Sequence, residues 1–121
     1  MNYTVIVNPD SGPGPGKAPN YDFLLAIQRL NAYPNVRTVG YVRTGYGNRS
    51  IDDVLHDVAT YSGWATNATG IAMHGIFFDE APYQYSSQIA DYMKTANGAA
   101  SSAEGIQGDK VVSAVSTNIY L

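Results

Sequence analysis

Two kinds of apolar pattern alternate along this chain. Short runs rich in β-branched or aromatic residues, TVIVN at Thr4 to Asn8, TVGYV at Thr38 to Val42 and GIFFD at Gly75 to Asp79, are each followed by a longer stretch in which apolar residues recur every three or four positions. Continuous apolar runs of this length suit strands buried on both faces of a parallel sheet, and the wider spacing is the stripe of an amphipathic helix. The first helix is expected from Asn20 to Ala32. Asn20 or Asp22 caps it, Phe23, Ile27 and Leu30 form its buried stripe, and Pro34 stops it. The second opens at Ser50-Ile51-Asp52-Asp53, a capping box with aspartate in place of glutamate, and carries Ile51, Val54, Leu55, Val58 and Tyr61 to about Trp64. The third is expected from Ser86 to Ala96, with Ile89, Ala90 and Met93 inward and Gly98 at its C′ position.

The strands start near residues 4, 38 and 74, which are 34 and 36 residues apart. A strand-loop-helix unit repeated in constant order predicts parallel strands joined by right-handed crossovers. The fold class is therefore α/β, with about three βα units. A closed barrel of eight such units needs about 250 residues, and the chain has 121. After Ala96 the periodicity stops. NGAASSAEGIQGDK is small, polar and glycine-rich, so residues 1–96 are expected to form the βα domain and 97–121 a linker-like tail. VVSAVSTNIYL offers one last, loosely alternating strand.

Composition narrows the partners. Hydrophobic residues make up 45% of the chain, which is ordinary, while charged residues make up only 14%, well below the usual quarter. A formal charge of −3 without any run of Lys or Arg provides no footprint for nucleic acid or for an anionic membrane surface. No apolar run is long enough to span a bilayer. Cysteine is absent, which excludes disulfides and thiolate metal sites. The N-terminus MNYTVIVNPD has no basic n-region or long apolar segment, so the chain reads as lacking a signal peptide. Sequons at Asn2, Asn48 and Asn67 suit a secreted parent.

In parallel α/β folds the site lies beyond the carboxyl ends of the strands. Three polar loops follow those ends: Asn8-Pro9-Asp10-Ser11, Arg43 to Arg49, and Asp79-Glu80-Ala81-Pro82. The first continues as NPDSGPGPGK and invites comparison with a phosphate-binding loop. Ser11 stands where that motif needs its first glycine, Ala18 where it needs a hydroxyl, and Pro13, Pro15 and Pro19 each lack an N–H. A phosphate- or nucleotide-binding domain is therefore ranked last. Asp79 and Glu80 are the sharpest feature, because a carboxylate ending an apolar strand is expensive to bury unless it is paired or used. Alternation sends Gly75, Phe77 and Asp79 to one face and Ile76, Phe78 and Glu80 to the other, with Glu80 at the exit where the pleat can stop; if Asp79 faces the barrel interior, Ile76 and Phe78 pack beneath the helices. The competing structural role is an ion pair of Asp79 with Arg43 or Arg49, or a turn capped by Glu80. Of ten tyrosines, Tyr41, Tyr46, Tyr83 and Tyr85 lie on or near the rim, where their rings suit sugar faces; Tyr33, Tyr61 and Trp64 read as packing residues. His56 and His74 have no metal-ligand partner at useful spacing, no G-x-S-x-G occurs, and no cofactor is expected.

Three stretches, VIVNPDSGPG, then VGYVRTGYGNRS with its helix ending in YSGW, and GIFFDEAP, occur in the order and approximate spacing of the spherulin 4-like family, which the chain resembles over residues 4 to about 93. The resemblance implies a partial TIM-like barrel, a secreted or cell-surface parent, and action on α-1,4-linked galactosamine or N-acetylgalactosamine polymers such as galactosaminogalactan. It carries Asp79 and Glu80 over as catalytic carboxylates, and Asn8, Tyr41, Tyr46 and Arg49 as polysaccharide contacts. It also implies that family members are about twice this length. A barrel lacking half its strands leaves open sheet edges, through which self-association is expected. The alternative function is a non-catalytic carbohydrate-binding or structural protein of the cell surface.

Overall fold

The computed structural model describes residues 2–80, 82, 85–107, 110–112 and 118–121. Strand β1 (Tyr3–Val7) leads to helix α1 (Tyr21–Asn31), β2 (Val36–Arg43) to α2 (Ile51–Asn67), and β3 (Gly75–Asp79) to α3 (Ser87–Ser102). Two short strands follow, β4 (Lys110–Val112) and β5 (Asn118–Tyr120). All pair in parallel in the order β4-β3-β2-β1-β5. Strands β1 to β4 are neighbours in chain order, as in the wall of a TIM-like barrel, and the fold is a part of such a barrel. Val5 lies opposite Thr38, and Arg43 opposite Asp79, so the three polar exits share one end of the sheet.

The expected alternation holds along the strands. On one face Val7, Val42, Ile76 and Phe78 pack against Ile27 of α1, Val54, Val58, Tyr61 and Trp64 of α2, and Ala96 and Ala100 of α3. On the other face Ile6, Val39 and Phe77 form a smaller cluster with Tyr41 against it. Each fully buried Ile, Val or Phe contributes about 1.5–3 kcal/mol of transfer free energy. Helix α2 approaches the sheet closely at Gly40. A Cβ there would sit 2.7 Å from Cγ and Cδ1 of Tyr61, so only glycine lets the ring lie on the strand. The Tyr61 hydroxyl is 2.8 Å from the carbonyl oxygen of Tyr41 and 3.2 Å from that of Val7, so one phenol ties β1 and β2 to α2. Trp64 meets the Tyr61 ring edge-on at 4.8 Å.

The helix ends differ from expectation in two places. Asn20 caps α1 by accepting from Phe23 N, and Ser86 caps α3 by accepting from Ile89 N, but Ser50 makes no side-chain cap bond. Helix α3 runs to Ser102, past the boundary expected at residue 96, with Gly98 inside it and Ala90 exposed. Part of the stretch expected to be a linker is packed instead. Ala100 and Ile106 are buried, and Gly105 donates its N–H to Ser62 Oγ at 3.0 Å. Small residues in this region bring α3 and the following turn close to α2.

Candidate functional site at the strand exits

The exits of β2 and β3 are joined by backbone. Thr44 N donates to Asp79 O at 3.0 Å, and Tyr46 N donates to Glu80 O at 2.7 Å. The Thr44 hydroxyl lies 2.7 Å from Glu80 O and 3.1 Å from Asp79 O. Tyr46 and Glu80 both adopt left-handed backbone, with φ of 57° and 56°, a conformation that costs a non-glycine residue about 1–2 kcal/mol. Regular pleating would carry Glu80 to the helix side with Ile76 and Phe78. The left-handed turn ends the pleat there.

Asp79 stays on the side of Phe77, half-buried. From the neighbouring strand Tyr41 reaches diagonally and donates its hydroxyl to Asp79 Oδ2 at 2.7 Å. Burial pushes the Tyr41 phenol above its ordinary range, and the hydrogen bond to Asp79 and the charges of Asp79 and Glu80 add to the shift. Tyr41 therefore keeps its proton at neutral pH and remains a donor.

The other expected contacts are engaged elsewhere. Arg49 donates from Nη1 to Asp57 Oδ2 on α2 at 2.8 Å and to Arg43 O at 3.0 Å, with side chains only 15% and 13% exposed for Arg49 and Asp57. It ties the β2 exit to α2, and the hydrogen-bond donor at Asp79 is Tyr41. Asn8 accepts Gly12 N through Oδ1 at 2.8 Å, and Asp10 N donates to Gly12 O. The proline-rich loop thus consumes N–H groups internally, unlike an anion cradle. Between the β1 and β2 exits lies a cleft of about 340 Å³ lined by Asp10, Ser11, Pro13, Arg43 and the Arg49–Asp57 pair. Tyr46 and Tyr85 are exposed, and Tyr83 lies outside the described residues.

Thr44, Asp57 and Tyr92 were not singled out by the sequence. Tyr92, on α3, donates to Arg49 O at 2.7 Å. Its only sequence signal is an aromatic residue on a helix face. Among the described residues no group of three or more His, Asp or Glu could hold a metal ion, and no helix is long and apolar enough to cross a membrane. His74 sits at the opposite end of the sheet, where its Nδ1 accepts from Thr38 N at 3.3 Å.

Comparison with known proteins gives three findings. The family described as spherulation-specific family 4 matches residues 1–117. Spherulin-4 of Physarum polycephalum is 34% identical over 123 aligned residues, covering 96% of this chain and 35% of that protein. The crystal structure of Aspergillus clavatus Sph3 in complex with GalNAc superposes with a TM-score of 0.87 at 40% identity, covering 90% of this chain and 44% of that one. The chain spans less than half the length of either relative.

Proposed function

The chain belongs to spherulation-specific family 4, and on that premise we propose that it supplies the carbohydrate-facing rim of a glycoside hydrolase-like protein acting on polymers of galactosamine and N-acetylgalactosamine outside the cell. The observation that carries the reading is the Tyr41–Asp79 hydrogen bond beside Glu80 at the strand exits. Two carboxyl groups flanking the scissile bond are the usual equipment of glycoside hydrolysis, one protonating the leaving oxygen and the other acting as nucleophile or as base toward water. The Tyr41 hydroxyl donates to Asp79 Oδ2, and a carboxylate oriented in this way can face an oxocarbenium-like transition state. Likeness to the GalNAc complex of Sph3 supports the sugar class.

The test is release of reducing ends from galactosaminogalactan, measured beside polymer binding, for the chain and for Asp79→Asn and Glu80→Gln. Each substitution is expected to lower turnover by roughly 10²–10⁴-fold, the range of a lost acid or base, with binding retained. Binding without reducing ends in the unaltered chain would assign it to non-catalytic carbohydrate binding. Neither binding nor cleavage would sink both readings.

A further inference from the structure

We propose that Thr44 is a positioning residue of this site: its buried hydroxyl, set between the carbonyls of Asp79 and Glu80, holds Glu80 in the left-handed conformation and thereby fixes the direction in which the Glu80 side chain leaves the end of β3. The proposal rests on the reading of Asp79 and Glu80 as the working carboxylates, and names the group that arranges them.

Thr44 is 0% exposed, unusual for a threonine and unfavourable unless its hydroxyl has partners. A hydroxyl has one proton to donate. The shorter contact, 2.7 Å, is to Glu80 O, with Asp79 O at 3.1 Å. Backbone strain at non-glycine residues persists where surroundings over-determine it. Here the determinants can be named. Thr44 N and Oγ1 and Tyr46 N all bond to the 79–80 carbonyls, while Thr44 O accepts from Gly47 N at 3.1 Å and Arg49 N at 3.2 Å, closing the turn that carries Tyr46. The two left-handed residues, Tyr46 and Glu80, are joined by one of these bonds and are both at the rim.

Thr44→Val preserves shape and removes only the hydroxyl. The carbonyls of Asp79 and Glu80 keep their backbone donors, Thr44 N and Tyr46 N, so the variant is expected to fold. Without the third tie, Glu80 relaxes toward extended backbone and its side chain leaves the strand end in a different direction. Thr44→Ser keeps the hydroxyl and restores the arrangement.

The experiment is NMR on the labelled chain, reading the sign of φ at Glu80 from its Cα and Cβ shifts and its intraresidue amide-to-Hα contact. Positive φ is expected in the unaltered protein and Thr44→Ser, and its loss in Thr44→Val. In parallel, turnover of galactosaminogalactan by Thr44→Val is expected to fall roughly tenfold to hundredfold in kcat with KM within about twofold, the pattern of misplacement and not of lost binding. Thr44→Ser recovers it. Positive φ persisting in Thr44→Val overturns the proposal. If even the unaltered chain cleaves nothing, that failure falls on the hydrolase reading, and the NMR result still decides the role of Thr44. Should Thr44→Val not fold, it is combined with Glu80→Gly, where left-handed backbone carries no penalty. Folding recovered there supports the proposal, and folding still lost overturns it.

Discussion

Removing one oxygen, by Tyr41→Phe, tests the central contact of the site. The ring keeps its place against Phe77, whose centroid is 6.3 Å away, while the 2.7 Å bond to Asp79 Oδ2 disappears. A hydrogen bond to an ionised acceptor is worth about 1.5–3 kcal/mol net. Both side chains are half-buried, so water replaces part of the loss and the lower end applies, about 1.5 kcal/mol. The single substitutions Tyr41→Phe and Asp79→Asn each mix this with other changes, so the double variant is needed to close the cycle. Urea unfolding at pH 7 of the four proteins, followed by circular dichroism, is expected to give a coupling energy of about 1–2 kcal/mol with unchanged m-values. In thermal melts, Tyr41→Phe alone should lower Tm by roughly 4–8 °C. A coupling below about 0.3 kcal/mol, the noise of additivity, would mean that the bond is not formed in solution and that Asp79 is not held by Tyr41.

Two further outcomes follow from the packing behind the site. Gly40→Ala forces a methyl to 2.7 Å from the Tyr61 ring and strains the bonds of its hydroxyl to Tyr41 O and Val7 O; overpacking of about 1–3 kcal/mol plus about 1 kcal/mol of hydrogen bonding should appear in urea titration, and a change under about 0.5 kcal/mol would show that the ring is not pressed on the strand. Burial raises the phenol pKa of Tyr41 and Tyr61 in the folded chain, whereas both ionise near pH 10 when unfolded. Their contribution is thus fully present below about pH 10 and lost as pH rises beyond it; unfolding free energies at pH 8 to 11 should decline, less steeply in Tyr61→Phe, and a flat profile in the unaltered protein would contradict the burial.

Most of the sheet could be read from the chain because continuous apolar runs leave few alternatives to buried parallel strands. GIFFD was assigned residue for residue, and its alternation put Ile76 and Phe78 under the helices and Asp79 opposite them, as found. Of the two cap candidates for α1, Asn20 makes the bond, whereas Ser50 at the start of α2 has the right composition without it. The end of α3 was misread for a physical reason. Ala100 and Gly105 look like linker composition, but small side chains are also what close packing on α2 demands. Arg49 is a sugar contact only by the family resemblance; its partner Asp57 lies two turns into α2, and nothing in the local sequence distinguishes that inward aspartate from exposed Asp52 and Asp53.

The ties behind the rim divide the labour at the site. Tyr61 sets the spacing of β1 and β2 against α2, Arg49 and Asp57 anchor the β2 exit, and Tyr92 fixes that exit to α3. Tyr61 holds its bonds away from bulk solvent, where geometry is maintained most firmly, and Arg49, Asp57 and Tyr92 are partly buried. Tyr41, Asp79 and Glu80 remain partly exposed, with the supporting groups already satisfied among themselves. A ligand at this rim would therefore meet acidic groups whose placement depends on buried hydrogen bonds it need not break. Exposure and support are separated by only one residue layer, so substitutions in that layer, Thr44 above all, should change how the carboxylates work while leaving what they touch the same.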